Sequence, residues 1–166
     1  MTTDTIGSAA THGGGWNGMI FAAKVIASAS GKLQTIGQNF AAASGNGRLA
    51  LYSHNAGSDK PASLLAEVGS YGVSVGWNDK TPGSTPDIVQ GTAYWIAMQV
   101  TAGDCYQTTG GGIRRSYKSY TFGAFPATWP ADSTENNGNI CNERITYAPP
   151  APPTVTTQAA TGIGLD

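Results

Sequence analysis

The sequence predicts an all-β chain, folded as an antiparallel β-sandwich or jelly roll, and three observations carry that prediction. The first is the stretch from Gly91 to Val100. Read as an extended strand, it places Tyr94, Ile96, Met98 and Val100 on one side and Ala93, Trp95, Ala97 and Gln99 on the other. Apolar groups on both sides mark a central strand covered above and below, because a strand with one wet face alternates with polar residues. The second is turn density, with 23 glycines and 9 prolines in 166 residues and many Ser, Thr and Asn besides. The third is rhythm: apolar or alternating segments recur at roughly 8–12-residue spacing, as in sandwiches and not in βαβ folds. A chain of this length makes one domain.

Taken in order, residues 1 to 18 are small and polar, end in Gly13-Gly14-Gly15-Trp16-Asn17-Gly18, and read as an N-terminal arm. The sandwich is expected over residues 19 to 148. Met19 to Ala29 is nearly continuous in apolar residues, and Val25, Ile26 and the closing Ser-Ala-Ser-Gly favour a strand. Lys32 to Ala41 alternates, with Ile36 and Phe40 on a side that Gln34 and Gln38 interrupt. Asn46-Gly47 is a hairpin dipeptide, since both residues tolerate positive φ. Arg48 to His54 is a strand with Leu49 and Leu51 facing inward, and Asn55 to Pro61 a polar loop. Ser63 to Gly69 is short enough for a strand or one helical turn. Val73, Val75 and Trp77 alternate with small polar residues as a strand, with Trp77 and Trp95 both read as core. Asp87 to Gln90 is an edge strand, and residues 105 to 108 pair briefly. Ile113 to Phe122 is a strand with aromatic groups on both faces. Gly123 to Asn139 is a long loop, and Ile140 to Ala148 a last strand with Ile145 and Tyr147 on one face.

Beyond residue 148, Pro149-Pro150-Ala151-Pro152-Pro153 sets an extended rod without internal hydrogen bonds. Residues 149 to 166 are expected to form a C-terminal arm against neighbouring subunits, with a disordered tail as the alternative from composition.

Composition excludes several functions. Only 11% of residues are charged, well below the usual quarter, and low for a free cytosolic protein that depends on surface charge for solubility. Net charge is −1 with no basic run, so nucleic-acid binding has no electrostatic basis. No apolar run approaches the length of a membrane span. The start, Met1 to Gly7, has neither the positive region nor the apolar core of a secretory signal. Prior processing, signal-free export and release by lysis are the routes this leaves to an exterior location.

Catalytic patterns are scarce. The histidines are His12 and His54, and no Gly-x-Ser-x-Gly turn presents a serine to either. Asp59 and Glu67 are the best acid/base pair on offer, with no spacing that sets them across a cleft. Asn55, Asp59, Asp79 and Asp87 supply loop oxygens for calcium, but without EF-hand spacing, and ordinary solvated turns are the expectation. No cofactor is expected. Cys105 and Cys141 are candidates for a disulfide, with two separate buried thiols as an equally open alternative; neither has metal-site spacing. Aromatic rings bind sugars by stacking on their C–H faces while planar polar groups fix the hydroxyls. Trp16, Arg114, Tyr117, Tyr120 and Trp129 are the candidate glycan contacts, with Arg115 also beside the tyrosines, and core packing or loop anchoring is the competing role for the rings.

Residues 48 to 101 carry a family resemblance. Arg-Leu-Ala-Leu-Tyr-Ser, a polar loop with Pro61, Leu64-Leu65-Ala66-Glu67, Gly76-Trp77-Asn78 and Gly91-Thr-Ala-Tyr94-Trp95-Ile96-Ala97 follow in that order. The series resembles a jelly-roll module found in phage fibre and virion proteins and in bacterial surface proteins, itself similar to carbohydrate-binding β-sandwiches. The resemblance implies a structural role for the motif residues and carries over no catalytic residue. It implies a non-enzymatic virion surface protein, a capsid decoration, spike or fibre component, meeting copies of itself or other virion proteins through its arms. A secreted or cell-surface carbohydrate-binding or adhesion module is the alternative.

Overall fold

The computed structural model describes residues 1–7, 11, 12, 16–108 and 112–149, and for Thr11 and His12 the backbone alone. The strands are β1 (Thr2–Ile6), β2 (Thr11–His12), β3 (Met19–Ile26), β4 (Gly31–Phe40), β5 (Asn46–Asn55), β6 (Lys60–Gly72) and β7 (Gly76–Lys80). They continue with β8 (Asp87–Ile88), β9 (Ala93–Val100), β10 (Tyr106–Thr108), β11 (Arg114–Ser119), β12 (Thr134–Asn137), β13 (Ile140–Cys141) and β14 (Glu143–Ala148). A six-stranded sheet runs β12-β11-β3-β9-β5-β6, and a five-stranded one runs β1-β14-β4-β7, with β8 also on β4. A small sheet, β13-β10-β2, stands apart. Every pairing is antiparallel. Among the described residues there is no helix, hence none long and apolar enough to cross a membrane. The fold is an all-β sandwich.

β9 lies between β3 and β5 and is buried almost throughout. Tyr94, Ile96, Met98 and Val100 face inward with Phe21, Val25, Leu49 and Leu51, against Leu33, Ile36, Ile145 and Tyr147 of the five-stranded sheet. Trp95 and Ala97 face outward, and with Ile20, Ala22, Ala50 and Tyr52 they meet Phe125 and Trp129. The two-sided apolar pattern of this strand therefore reports two separate cores. The outer one exists because the chain between β11 and β12 folds back over the sheet as a roof.

Small residues make room for that roof. Across the outer face the register aligns Glu135, Ser116, Ala22, Ala97, Ala50 and Glu67 in one row. The alanines leave a trough between polar ends, and the large rings of the roof fill it. Burying rings of this size contributes roughly 1.5–3 kcal/mol each.

Several expectations need correction. Residues 2–6, read as part of a free arm, are a strand paired along its length with β14. β4 and β5 lie in different sheets, so Asn46-Gly47 is no hairpin turn; it already pairs with β6, and Gly45 turns the chain with φ of 68°. Residues 73–75 form the turn between β6 and β7, which leaves Val75 exposed. Trp77 is outside both cores, half-buried, with the Arg144 guanidinium 4.0 Å from its ring centroid. β6 is one long strand where a strand or helical turn was open. The long loop holds β12, which pairs with β11. Gln38 does share the inner side of Ile36, whereas Gln34 is displaced by a register shift on β4. Cys105 and Cys141 are bonded, with an S–S distance of 2.06 Å and Cα atoms 5.7 Å apart, which closes the alternative of separate thiols. The residues from 150 onward lie outside the described residues.

Candidate functional site

The roof explains why one of the five glycan candidates is not free to stack and why a second is partly covered. It is held to the sheet at each step. Gln99 receives the Gly123 amide on Oε1 at 3.0 Å and donates Nε2 to the Gly123 carbonyl at 3.0 Å. Glu67, itself bound to Arg48, accepts from the Phe125 amide at 3.2 Å. The Tyr52 hydroxyl donates to the Pro126 carbonyl at 2.6 Å. The Leu64 amide donates to Ala127 at 2.9 Å and the Trp129 amide to Ala62 at 2.8 Å, which pairs the roof with β6. Trp129 is 4% exposed, lies edge-on to Tyr52 at 5.0 Å, and donates Nε1 to Ser116 Oγ at 2.8 Å. It anchors the roof and offers no ring face to a sugar. Tyr120 packs against the same outer core.

The other three candidates divide between the two faces of β11. Ser116 points outward to Trp129, so Arg114 points outward as well, while Arg115 and Tyr117 point inward. Arg115, named beside the tyrosines but not itself the prime candidate, is the arginine that meets them. Its guanidinium stands 5.4 Å from the ring centroids of both Trp16 and Tyr117, and Trp16 lies 6.2 Å from Tyr117 and 5.0 Å from Phe21. Arg115 also donates to Asn136 Oδ1 and the Asn139 carbonyl, each at 2.6 Å. Trp16 and Tyr117 both pack on the inner core. The cluster therefore closes the sandwich at its β11 margin.

Arg114 belongs to a charged knot on the outer face. Asp59, in the β5–β6 turn with φ of 50°, receives Lys24 at 2.7 Å. Arg114 Nε stands 3.1 Å from its other oxygen, an ion-pair distance at an angle short of a hydrogen bond. The hydrogen bond from Lys24 holds the Asp59 carboxyl below the usual carboxylate range. His54 Nε2 is 4.0 Å from Asp59, and its Nδ1 accepts the Trp95 indole proton at 3.2 Å. Burial, and then Lys24, push the imidazole down against the pull of Asp59, which favours the neutral ring that this acceptor requires. This His–Asp neighbourhood is a tie between the turn and the sheet.

The acid/base pair and the calcium set both come apart. Asp59 and Glu67 each have a cation of their own, Asp79 holds Arg144 and Asp87 holds Lys32 at 2.9 Å. Asn55 Oδ1 accepts the Gly57 amide at 3.0 Å within its turn. Among the described residues no group of three or more His, Cys, Asp or Glu is placed to hold a metal.

What the surface does provide is a groove of about 340 Å³ between the β5–β6 turn and the end of the roof, lined by Asn55, Ser58, Lys60, Thr128, Trp129 and Pro130 among others. Its cation is already engaged. Lys60 Nζ is 2.9 Å from Glu135 Oε2 and donates to the Ala131 carbonyl at 3.2 Å. The groove is thus polar and nearly neutral, with apolar walls. Sequence reading placed Trp129 near a ligand surface and weighed Asn55 as a calcium oxygen, but missed Ser58 and Thr128, because the roof brings residue 128 to residue 63 only through tertiary pairing. No protein-family model matches the chain, and no curated protein matches it.

Proposed function

We propose that the chain is a non-enzymatic structural protein of a phage virion surface, a decoration, spike or fibre component. The observation that carries this reading is how the sandwich is closed. The chain roofs its own large sheet, and a disulfide joins residues 105 and 141 near the small one. Asp59, Glu67, Asp79 and Asp132 are taken up in internal ion pairs. Such a fold holds one shape and leaves little of its polar chemistry for turnover. Disulfides persist on virion and cell surfaces and are rare in the cytosol, and 11% charge suits a protein within an assembly. Since β1 is built into the sandwich, we assign attachment to the Pro-rich segment from residue 149 onward and not to the N-terminus. Negative-stain microscopy of purified particles with antibody labelling tests the reading; surface labelling supports it, and unlabelled particles overturn it.

A second reading, a carbohydrate-binding or adhesion module, is favoured by the groove beside Asn55 and Thr128. Its volume falls in the range of small-molecule sites, and its mix of hydroxyl, amide and apolar wall suits a neutral sugar. A glycan array with the wild-type protein, followed by Asn55→Ala and Thr128→Ala, decides it. Binding weakened at least tenfold by either substitution supports a sugar in the groove, and a blank array for the wild type removes the reading.

A further inference from the structure

One row on the inner face of the five-stranded sheet is polar where its neighbours are apolar. Glu143 on β14 pairs with Gln38 on β4, Gln38 pairs with Asn78 on β7, and Ile6 of β1 lies on the other side of Glu143. Asn78 satisfies itself, donating Nδ2 to the carbonyls of Ser74 and Gly76 at 2.7 and 2.9 Å and accepting from the Ser74 amide at 3.0 Å. Its two neighbours do not. Glu143 and Gln38 are 0% exposed, and none of their side-chain oxygen and nitrogen atoms has a hydrogen-bond partner among the described residues. The Tyr71 hydroxyl, from β6 of the opposite sheet, is buried and unpartnered too, and Glu143 bears on its ionisation.

The charged and titratable groups around this row are otherwise occupied. Lys80 of β7 lies over the Tyr71 ring, 5.0 Å from its centroid. Arg144, next in the chain, projects from the other face of the sheet onto Asp79. Asp4 of β1 accepts from the Tyr147 hydroxyl at 2.6 Å and the Ser28 amide at 2.9 Å. Among the described residues a carboxylate at Glu143 has no cation and no hydrogen bond, with only the neutral Gln38 amide and Tyr71 hydroxyl left unengaged, and a buried charge without a partner is strongly disfavoured. A sealed site of this kind admits a proton where it would not admit a hydrated cation. Burial alone pushes the Glu143 carboxyl well above its ordinary range.

We propose that Glu143 is a proton-loaded latch: the sandwich closes with its carboxyl un-ionised, and loss of that proton as pH rises loosens the β1–β14 edge. The edge is the element that gives because β1 is short and has β14 as its single sheet neighbour. Ile6 is the cross-strand residue that stands between Glu143 and the margin of the sheet.

The sign follows from linkage. A carboxyl whose folded value is raised contributes its full stability below the ordinary carboxyl range and loses it as pH climbs through that range toward the folded value. The test is chemical denaturation from acid to alkaline pH for wild type and Glu143→Gln. In wild type the folding equilibrium constant falls by up to tenfold per pH unit across that window, while Glu143→Gln lacks this fall. Native-state hydrogen exchange at residues 2–6 then rises with pH more in wild type than in the variant. Parallel pH profiles for the two proteins overturn the proposal. Infrared spectra of the wild type need no variant: an un-ionised carboxyl stretch that persists above the ordinary carboxyl range supports the latch, and its absence there overturns it.

Discussion

Gly31 occupies a position where a side chain has no room. A Cβ there would run into the Ala148 backbone carbonyl and lie 3.1 Å from the Tyr147 ring, whereas a Cβ at Gly69 would meet nothing within 4 Å. Both glycines sit in strands, and composition counts them alike. Because backbone cannot shift aside as a flexible side chain can, Gly31→Ala is expected to cost about 1–3 kcal/mol. Gly69→Ala should stay within about 0.5 kcal/mol of wild type, and urea denaturation of the two variants checks the contrast. The same scale shows what residue patterns can and cannot reveal. Strand alternation around Ser116 sends Arg114 and Arg115 to opposite faces, although the sequence reading set both beside the tyrosines. The knot around Asp59 was not legible, because it depends on a turn residue with positive φ reaching back to β3.

At the scale of elements, the roof over residues 120–133 is the feature least visible in the sequence. It has no periodicity, since its register is set by Gln99, Tyr52, Glu67 and Ser116 on the sheet below. Its target was visible, because the second apolar face of β9 requires a cover. Trp129→Ala should therefore act on folding, with a loss of about 3–5 kcal/mol, read as an earlier denaturation midpoint with the near-ultraviolet signal of the packed rings reduced. A mere ligand contact would leave the midpoint unchanged. Glu135 ties the far end of the roof. Burial pushes its carboxyl up, but hydrogen bonds from Ser133, Lys60 and Ser116 outweigh that and hold it below the ordinary range. This contribution is present above the ordinary carboxyl range and lost as pH falls through the lowered value. Glu135→Gln should flatten the acid side of the stability profile, as measured by thermal melts across pH. The disulfide is the third such element, its cysteines 36 positions apart in the chain. Chain-entropy reasoning gives a loss of about 4 kcal/mol for Cys105→Ser with Cys141→Ser, measured against the oxidised wild type.

Over the whole molecule, the sequence prediction of a sandwich with a doubly covered central strand holds. The prediction of a free N-terminal arm over residues 2–6 does not. Those residues look like an arm because four of the five are small and polar, yet such residues also suit an edge strand whose outer face meets water. The crossover from β4 to β5 was hidden by the Asn-Gly pair, which reads locally as a hairpin and is overruled when adjacent strands join different sheets. Glu143 and Glu135 act in opposite directions, so stability should be greatest near the ordinary carboxyl range and fall on both sides.

A structural protein of a virion surface is present in the particle at fixed stoichiometry, which quantitative mass spectrometry of purified particles measures. Peptides of this chain at a fixed, repeated copy number relative to the major capsid protein are the predicted result. Recovery of the chain only in the particle-free supernatant would contradict it.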